Sequence, residues 1–445
     1  MKRRITAGLL LCFFGLSVLA GCAGNAAPAQ TDLTTQAASG IPEPLPSPEP
    51  PPIPTMETTA AEAASSTTME TTTAEAATTE APVREPPAAP AETADPEPDP
   101  LEEILSNMTL EEKVAQMFLA TPEALTESSE PVTKADQSVR EALERIPVGG
   151  VLLMGYNLKN PEQVRALCAG LQALSRERVG LPLLIGVDEE GGPVARISGK
   201  AAFGVEKIPA MSTVEDAKTA RRLGRTMGAY LRDLGFNLDF APVADVLTNP
   251  ENRVVRSRSF GSDPDRVTEL AGALAEGLSR EGILPCWKHF PGHGGTAEDS
   301  HEGFAVLHLD PEHPEESPEL RPFLAAAEAG APMIMTGHIC VPELDPEGLP
   351  ASLSPALLSI LRGPERRYEG LLITDALGMG AITEGYAPGE AAVLAVLAGN
   401  DLLLASDELV PAYEAVLAAV RDGTIPETHI DESVRRILRT KNDLP

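Results

Sequence analysis

The 445-residue chain is short of cysteine, of basic residues, of long apolar runs and of any glycine-rich phosphate loop. Each shortage excludes something. Of five cysteines, Cys12 lies in the apolar N-terminal run and Cys22 just beyond it, leaving Cys168, Cys286 and Cys340. An odd number in apolar surroundings predicts buried free thiols and argues against a disulfide framework. Lysine and arginine total 35 against 66 acidic residues, a formal net charge of −31. Nucleic acid needs a positive face, so that class of partner is excluded. The one extended apolar run, Ile5 to Leu19, falls below the roughly 20 residues a spanning helix needs, and no second run is long enough. No glycine-rich phosphate loop follows the first strand-like segment, which argues against a doubly wound open sheet.

What is present begins with a targeting pattern. Lys2, Arg3 and Arg4 precede the apolar run, which ends in Leu19-Ala20-Gly21-Cys22, a sequence that resembles a bacterial lipobox. The expected outcome is removal of residues 1–21, lipid on Cys22, and a chain exported and held on the bacterial membrane by that lipid without spanning it. Residues 22–100 are dense in Pro, Thr, Ala and Glu, with Arg84 the one basic residue and two near-repeats, METTAAEAA from Met56 and METTTAEAA from Met69. Such a segment buries too little apolar surface to offset its ordering entropy, so it is expected to be a disordered stalk.

From Leu101 to the end, short apolar runs alternate with amphipathic stretches. The runs are Gln116–Ala120, Gly149–Met154, Leu181–Val187, Phe236–Phe240, Ile283–Trp287, Met333–Met335, Gly370–Thr374 and Asp401–Ala405. Helical patterns include Val214–Leu234, Asp265–Glu281, Pro318–Ala329 and a closing Asp431–Lys441. Eight such alternations predict one α/β domain over residues 101–445, a (β/α)8 barrel of the TIM type. Functional groups in such barrels gather just past the C-terminal ends of the strands. Asp188, Asp245, Arg258, the stretch Lys288–His301 and Asp375 all fall at those positions.

The stretch KHFPGHGGTAEDSH, Lys288 to His301, is the richest in chemistry, with three of the seven histidines. It reads as a strand ending in a glycine-punctuated loop, and Asp299 is close enough in sequence for its carboxylate to orient the His301 ring. The residues alone leave three readings open. They are acid–base catalysis, a metal site using His289, His293, Asp299 and His301, and a structural loop. His293 and the glycines look like scaffold. Asp375, at the end of a strand, is placed equally well for a nucleophile and for a helix cap.

Four segments carry a resemblance. KHFPGHG followed by Asp299-Ser300-His301, GVDEEGGPVAR (Gly186 to Arg196), FAPVADV (Phe240 to Val246) with Arg258-Ser259-Phe260, and ITDALGM (Ile373 to Met379) occur in the order found in family 3 glycoside hydrolases. The chain resembles the branch of β-N-acetylglucosaminidases acting on cell-wall muropeptides. The resemblance implies a retaining glycosidase with Asp375 as nucleophile and His301, paired with Asp299, as acid/base. A neutral imidazole in that role adds no second negative charge beside the nucleophile. It also implies that Asp188, Arg196, Arg258, Lys288 and His289 bind the first sugar. A carbohydrate partner, no cofactor, no metal and a monomer are expected. The second α/β domain of larger members is not expected, because the chain stops after the closing helix.

Three positions depart from the family pattern. Pro193 stands where Arg is usual, Gly295 where a polar residue is frequent, and Ala376 where a second Asp often follows the nucleophile. The competing readings are a β-glycoside phosphorylase or β-glucosidase of the same family, a metallohydrolase, and a non-catalytic surface sugar-binding lipoprotein.

Overall fold

The computed structural model describes residues 100–297, 304–405 and 407–444. The targeting segment, Cys22, the stalk, Asp299 and His301 lie outside the described residues.

Eight parallel strands form the centre: β1 (Phe118–Ala120), β2 (Gly150–Leu152), β3 (Leu184–Val187), β4 (Leu238–Asp239), β5 (Leu284–Phe290), β6 (Met333–Thr336), β7 (Leu371–Thr374) and β8 (Leu403–Ala405). Neighbours in sequence are neighbours in space, and β8 pairs with β1 through Phe118 and Leu403. The ring closes between β7 and β8, where Ile373 bridges Leu402 and the Thr374 N–H donates to the Leu402 carbonyl at 3.0 Å. Each of the eight apolar runs falls on one of these strands; six contain the strand whole, while β5 and β6 extend past the ends of theirs. Parallel strands covered on both faces read as continuous apolar runs, which is why they were visible. All residues of β1, β2, β3, β6, β7 and β8 are buried.

Helices α1 (Pro100–Asn107) and α2 (Leu110–Gln116) lead into the barrel. The outer layer contains α3 (Gln137–Arg145), α4 (Pro161–Val179), α5 (Ala217–Leu234), α6 (Pro264–Arg280), α7 (Arg321–Glu328), α8 (Pro355–Arg362), α9 (Pro388–Ala398), α10 (Leu409–Arg421) and α11 (Glu427–Asn442). Their starts follow local chemistry. Asn160, Asp216 and Ser354 each accept an N–H of the first turn, and the first turns of α4 and α8 also carry proline. Pro100, assigned to the stalk by composition, is the first residue of α1. Lys113 of α2 meets Asp431 of α11 at 2.7 Å, and Arg435 of α11 pairs with Glu102 of α1, so the first and last helices fasten together. No helix among the described residues is long and apolar enough to cross a membrane. Cys168, Cys286 and Cys340 are buried free thiols, as their contexts predicted.

Candidate active site

One element differs from its sequence expectation where it matters. β5 does not end at Trp287 but runs through Lys288 and His289 to Phe290. Phe290 is fully buried and meets the Phe323 ring edge-on at 5.9 Å, which anchors the extension. Strict alternation would send Lys288 and His289 to opposite faces. A register shift between Trp287 and Phe290 relaxes that rule, and both side chains line the same cavity. Two polar residues look like a loop in the sequence. Here they are tolerated inside the barrel because each has charged partners.

That cavity, of about 540 Å3, opens at the C-terminal end of the barrel. Its lining includes Asp188, Arg196, Arg258, Lys288, His289 and Asp375. The structure therefore brings together every described residue expected to bind the first sugar, along with the expected nucleophile.

A buried ionic lattice forms the floor. The Lys288 ammonium lies 2.7 Å from Asp188 and 2.6 Å from Glu190. Glu190 also receives Arg258 in a two-pronged contact, Nε at 2.7 Å and Nη2 at 2.8 Å. Lys288 and Glu190 are each 2% exposed, so these charges have little water to fall back on. Burial opposes ionisation of Glu190, but the Lys288 and Arg258 charges outweigh it and hold its carboxyl far below the usual range. The same lattice pushes Lys288 and Arg258 further up, against their own burial. Glu190, Lys288 and Arg258 are thus ionised across the physiological range.

The second layer is built on Asp245, which lies in the long segment after β4 and is fully buried. One carboxylate oxygen accepts the backbone N–H groups of His289 (3.2 Å) and His293 (2.6 Å), and the other meets His289 Nδ1 at 2.8 Å. Burial raises its pKa, but the two neighbouring rings and the His293 N–H more than reverse this. His289 Nε2 is thereby aimed at the cavity, 3.5 Å from Arg258 Nη2. His293 serves as loop scaffold, as expected. Its carbonyl accepts from Asn252 at 2.9 Å, and burial holds its ring below the usual imidazole range. A side chain at Gly294 would drive into the Val246 carbonyl, which fixes glycine there.

Asp375 follows β7 directly. Its N–H donates to the Thr336 carbonyl at 2.8 Å, and its Oδ1 accepts the Ala376 N–H at 2.8 Å. Burial raises its pKa, but the His338 and His289 rings, the Ala376 N–H and Lys288 outweigh it and hold the carboxylate ionised. His338, just past β6, is fully buried between Ser352 Oγ (2.8 Å) and the Ala376 carbonyl (2.9 Å). An ionised carboxylate in a part-dry cavity lined by cations can attack an electron-poor carbon.

Arg196 does not sit on a helix face. It follows a short antiparallel hairpin, Glu189–Gly191 with Val194–Ala195, that folds over the end of β3. The turn needs glycine at 191, where φ is 86° and a side chain would meet Ile208. Buried Glu189 accepts the Ile197 and Ser198 N–H groups at 2.7 and 2.8 Å and the Tyr230 hydroxyl at 2.8 Å, locking the hairpin. The Arg196 Nε is buried without a hydrogen-bond partner among the described residues.

Sequence reasoning did not single out Glu190 or give His338 a role, and it placed Asp245 at the barrel mouth without naming its task. Two signals pointed that way: Glu190 lies two residues past Asp188 on the same turn, and Asp245 sits at a strand end in FAPVADV. The described residues contain no group of three or more His, Cys, Asp or Glu arranged to hold a metal ion.

The comparisons agree with this geometry. Beta-hexosaminidase A of Pseudoalteromonas piscicida is 33% identical over 338 residues, covering 71% of this chain and 56% of that protein. Beta-hexosaminidase LpqI of Mycobacterium tuberculosis is 36% identical over 275 residues, 60% of this chain and 69% of its own length. A solved family 3 β-N-acetylglucosaminidase from Paenibacillus sp. str. FPU-7 superposes with a TM-score of 0.70 at 38% identity, covering 76% of this chain and 62% of that one. The chain thus spans little more than half to two thirds of these relatives. The family described as glycosyl hydrolase family 3 N terminal domain matches residues 109–440, and with strand order, cavity and motifs in agreement, the chain belongs to that family.

Proposed function

We propose that this protein is a glycoside hydrolase releasing terminal β-linked N-acetylglucosamine, and that its natural substrates are peptidoglycan fragments. The observation that carries the reading is the cavity itself. An ionised strand-end carboxylate, Asp375, shares about 540 Å3 with Asp188, Arg258, Lys288 and His289, a set matched to sugar hydroxyls. The names of the relatives support the sugar specificity.

In the proposed reaction the Asp375 carboxylate attacks the anomeric carbon while the bond to the leaving oxygen breaks. His301, oriented by Asp299, gives that oxygen its proton. Water then attacks the glycosyl-enzyme ester, losing a proton to His301, and Asp375 is freed. Two inversions at one carbon retain the β configuration. Asp188, Arg196, Arg258, Lys288 and His289 hold the sugar. The polypeptide is displayed outside the cell on a stalk carried by lipidated Cys22.

The test is a set of three variants on a leaving-group series of N-acetylglucosaminides. Asp375→Ala should lose activity on all of them, by roughly a thousandfold or more. His301→Ala should lose most with poor leaving groups, and Asp299→Ala should resemble it more mildly. A first-formed α anomer, or near-normal turnover by Asp375→Ala, overturns the reading. Sugar 1-phosphate formed when inorganic phosphate is added would instead establish a phosphorylase.

A further inference from the structure

Among the described residues only two large apolar side chains are exposed, Ile104 at 37% and Tyr156 at 50%. Ile104 lies on α1, outside the barrel. Tyr156 lines the active-site cavity. Of the other tyrosines, Tyr230, Tyr368 and Tyr413 are buried and Tyr386 is half-buried. A singly exposed apolar side chain says little by itself, and what sets Tyr156 apart is its place in the wall of the cavity.

The backbone that carries the ring is also held firmly. Tyr156 is the middle residue of a single turn, Gly155–Asn157, placed just after β2. Asn157 is fully buried. Its side-chain oxygen accepts the Met154 N–H at 2.7 Å, and its Nδ2 donates to Glu123 Oε1 at 2.7 Å and to the Val132 carbonyl at 2.9 Å. Gln163 donates to the Asn157 carbonyl at 3.1 Å. Lys200, from beyond the hairpin, donates to the carbonyls of Gly155 and, at 2.8 Å, Leu158. The turn is thus tied to the segment that carries Arg196. These bonds fix the position of the Tyr156 Cα at the cavity opening, which lowers the ordering cost of presenting its ring to a ligand.

Exposure orders the cavity by depth. Lys288 and Glu190 at 2% and His289 at 6% form its floor, while Tyr156 stands at its opening. An exo-acting enzyme places the terminal sugar at the floor, so the group leaving with the glycosidic oxygen points outward. We propose that Tyr156 is a stacking platform for that leaving group, receiving the C–H face of a pyranose ring on its aromatic face. A pyranose presents an apolar face with hydroxyls at its edge, and tyrosine offers an apolar ring with a hydroxyl at its tip. The leaving-group class is therefore a second sugar ring. This rests on the hydrolase reading above.

The test compares the full chain with Tyr156→Ala and Tyr156→Phe on two substrates. One is the β-1,4-linked N-acetylglucosamine disaccharide. The other is N-acetylglucosaminyl fluoride, whose one-atom leaving group cannot reach the opening. Tyr156→Ala should lower kcat/KM on the disaccharide about tenfold more than on the fluoride, mainly through KM, and Tyr156→Phe should restore it. Equal losses on both substrates, or none on the disaccharide, overturn the proposal. If the parent protein turns over neither substrate, the hydrolase reading fails, and calorimetry decides the platform separately. Affinity for the disaccharide should then exceed that for N-acetylglucosamine in the parent but not in Tyr156→Ala. No such difference refutes it.

Discussion

Replacing Glu190 by glutamine keeps its shape and removes its charge, so it isolates what the buried lattice contributes. In the parent, Glu190 neutralises Arg258 through two bonds of 2.7 and 2.8 Å and shares Lys288 with Asp188. Its side chain is 2% exposed, that of Lys288 3% and that of Arg258 12%. The variant leaves Lys288 with Asp188 as its one ion-pair partner and Arg258 with no carboxylate in contact, only the more distant charges of Asp245 and Asp188. Breaking one partner out of a buried pair costs about 3–5 kcal/mol. At roughly 2 °C per kcal/mol for a domain of this size, the apparent Tm should fall by about 6–10 °C. The exposed pair Arg222–Glu206, with both side chains more than half exposed, is the control. Glu206→Gln should change stability by less than about 1 kcal/mol. The depressed Glu190 pKa sets the pH dependence. Its stabilisation is present above the unfolded carboxylate pKa and is lost only as pH falls through the much lower folded value. The Tm difference should therefore be the same at pH 8 and pH 5. Circular dichroism melts of both variants at the two pH values measure this. A Glu190→Gln protein melting within 1 °C of the parent refutes the account of the lattice, and a difference that shrinks by pH 5 refutes the ionisation argument.

Asp245→Asn keeps an acceptor for the two loop N–H groups but sets an amide where the His289 ring needs a carboxylate. It should raise KM and lower kcat/KM by about 10–100-fold with the fold intact, and an unchanged KM would count against it. Lys441 is 3% exposed, with its ammonium on Gln116 Oε1 at 2.6 Å, and burial pushes its pKa down to about 7. Below pH 7 the folded chain holds a buried charge at a cost of roughly 5 kcal/mol, which disappears as pH rises toward the unfolded value of 10.5. Lys441→Met, which orphans the Gln116 oxygen at about 1–3 kcal/mol, should stabilise at pH 6 and destabilise at pH 10. Melts showing the same sign at both pH values would refute this. Cys22→Ser should release the protein from membranes, and salt-resistant sedimentation of the variant with them would rule out the lipid anchor.

The barrel was legible because each of its eight strands is buried on both faces, and runs such as LLIT or LLIGV have few other uses. Positions one residue past a strand, Asp188 and Asp375, were legible for the same reason. What escaped depended on contacts distant in sequence. Lys288 and His289 read as loop residues because the carboxylates that make them tolerable inside a strand, Asp188, Glu190 and Asp245, come from just after β3, from the hairpin and from the segment after β4. Arg196 stands nine residues past β3, an offset that fits a helix as well as a hairpin. Only the glycines at 191 and 192 hinted at the turn. Tyr156 could not be singled out, since a tyrosine near a strand end is normally core, and its exposure is a property of the packed fold.

The bulge in β5 makes Lys288 and His289 adjacent residues on one wall. Their Cα atoms are held one peptide unit apart by covalent backbone, while Asp188 and Glu190 place the ammonium and Asp245 the imidazole. Mutations in the surrounding core that shift helices or loosen loops should move the pair as one piece. A transplant of this sugar-binding function into another barrel would have to carry the irregular strand with it. Installing Lys and His on a regular strand would give the right residues facing opposite ways.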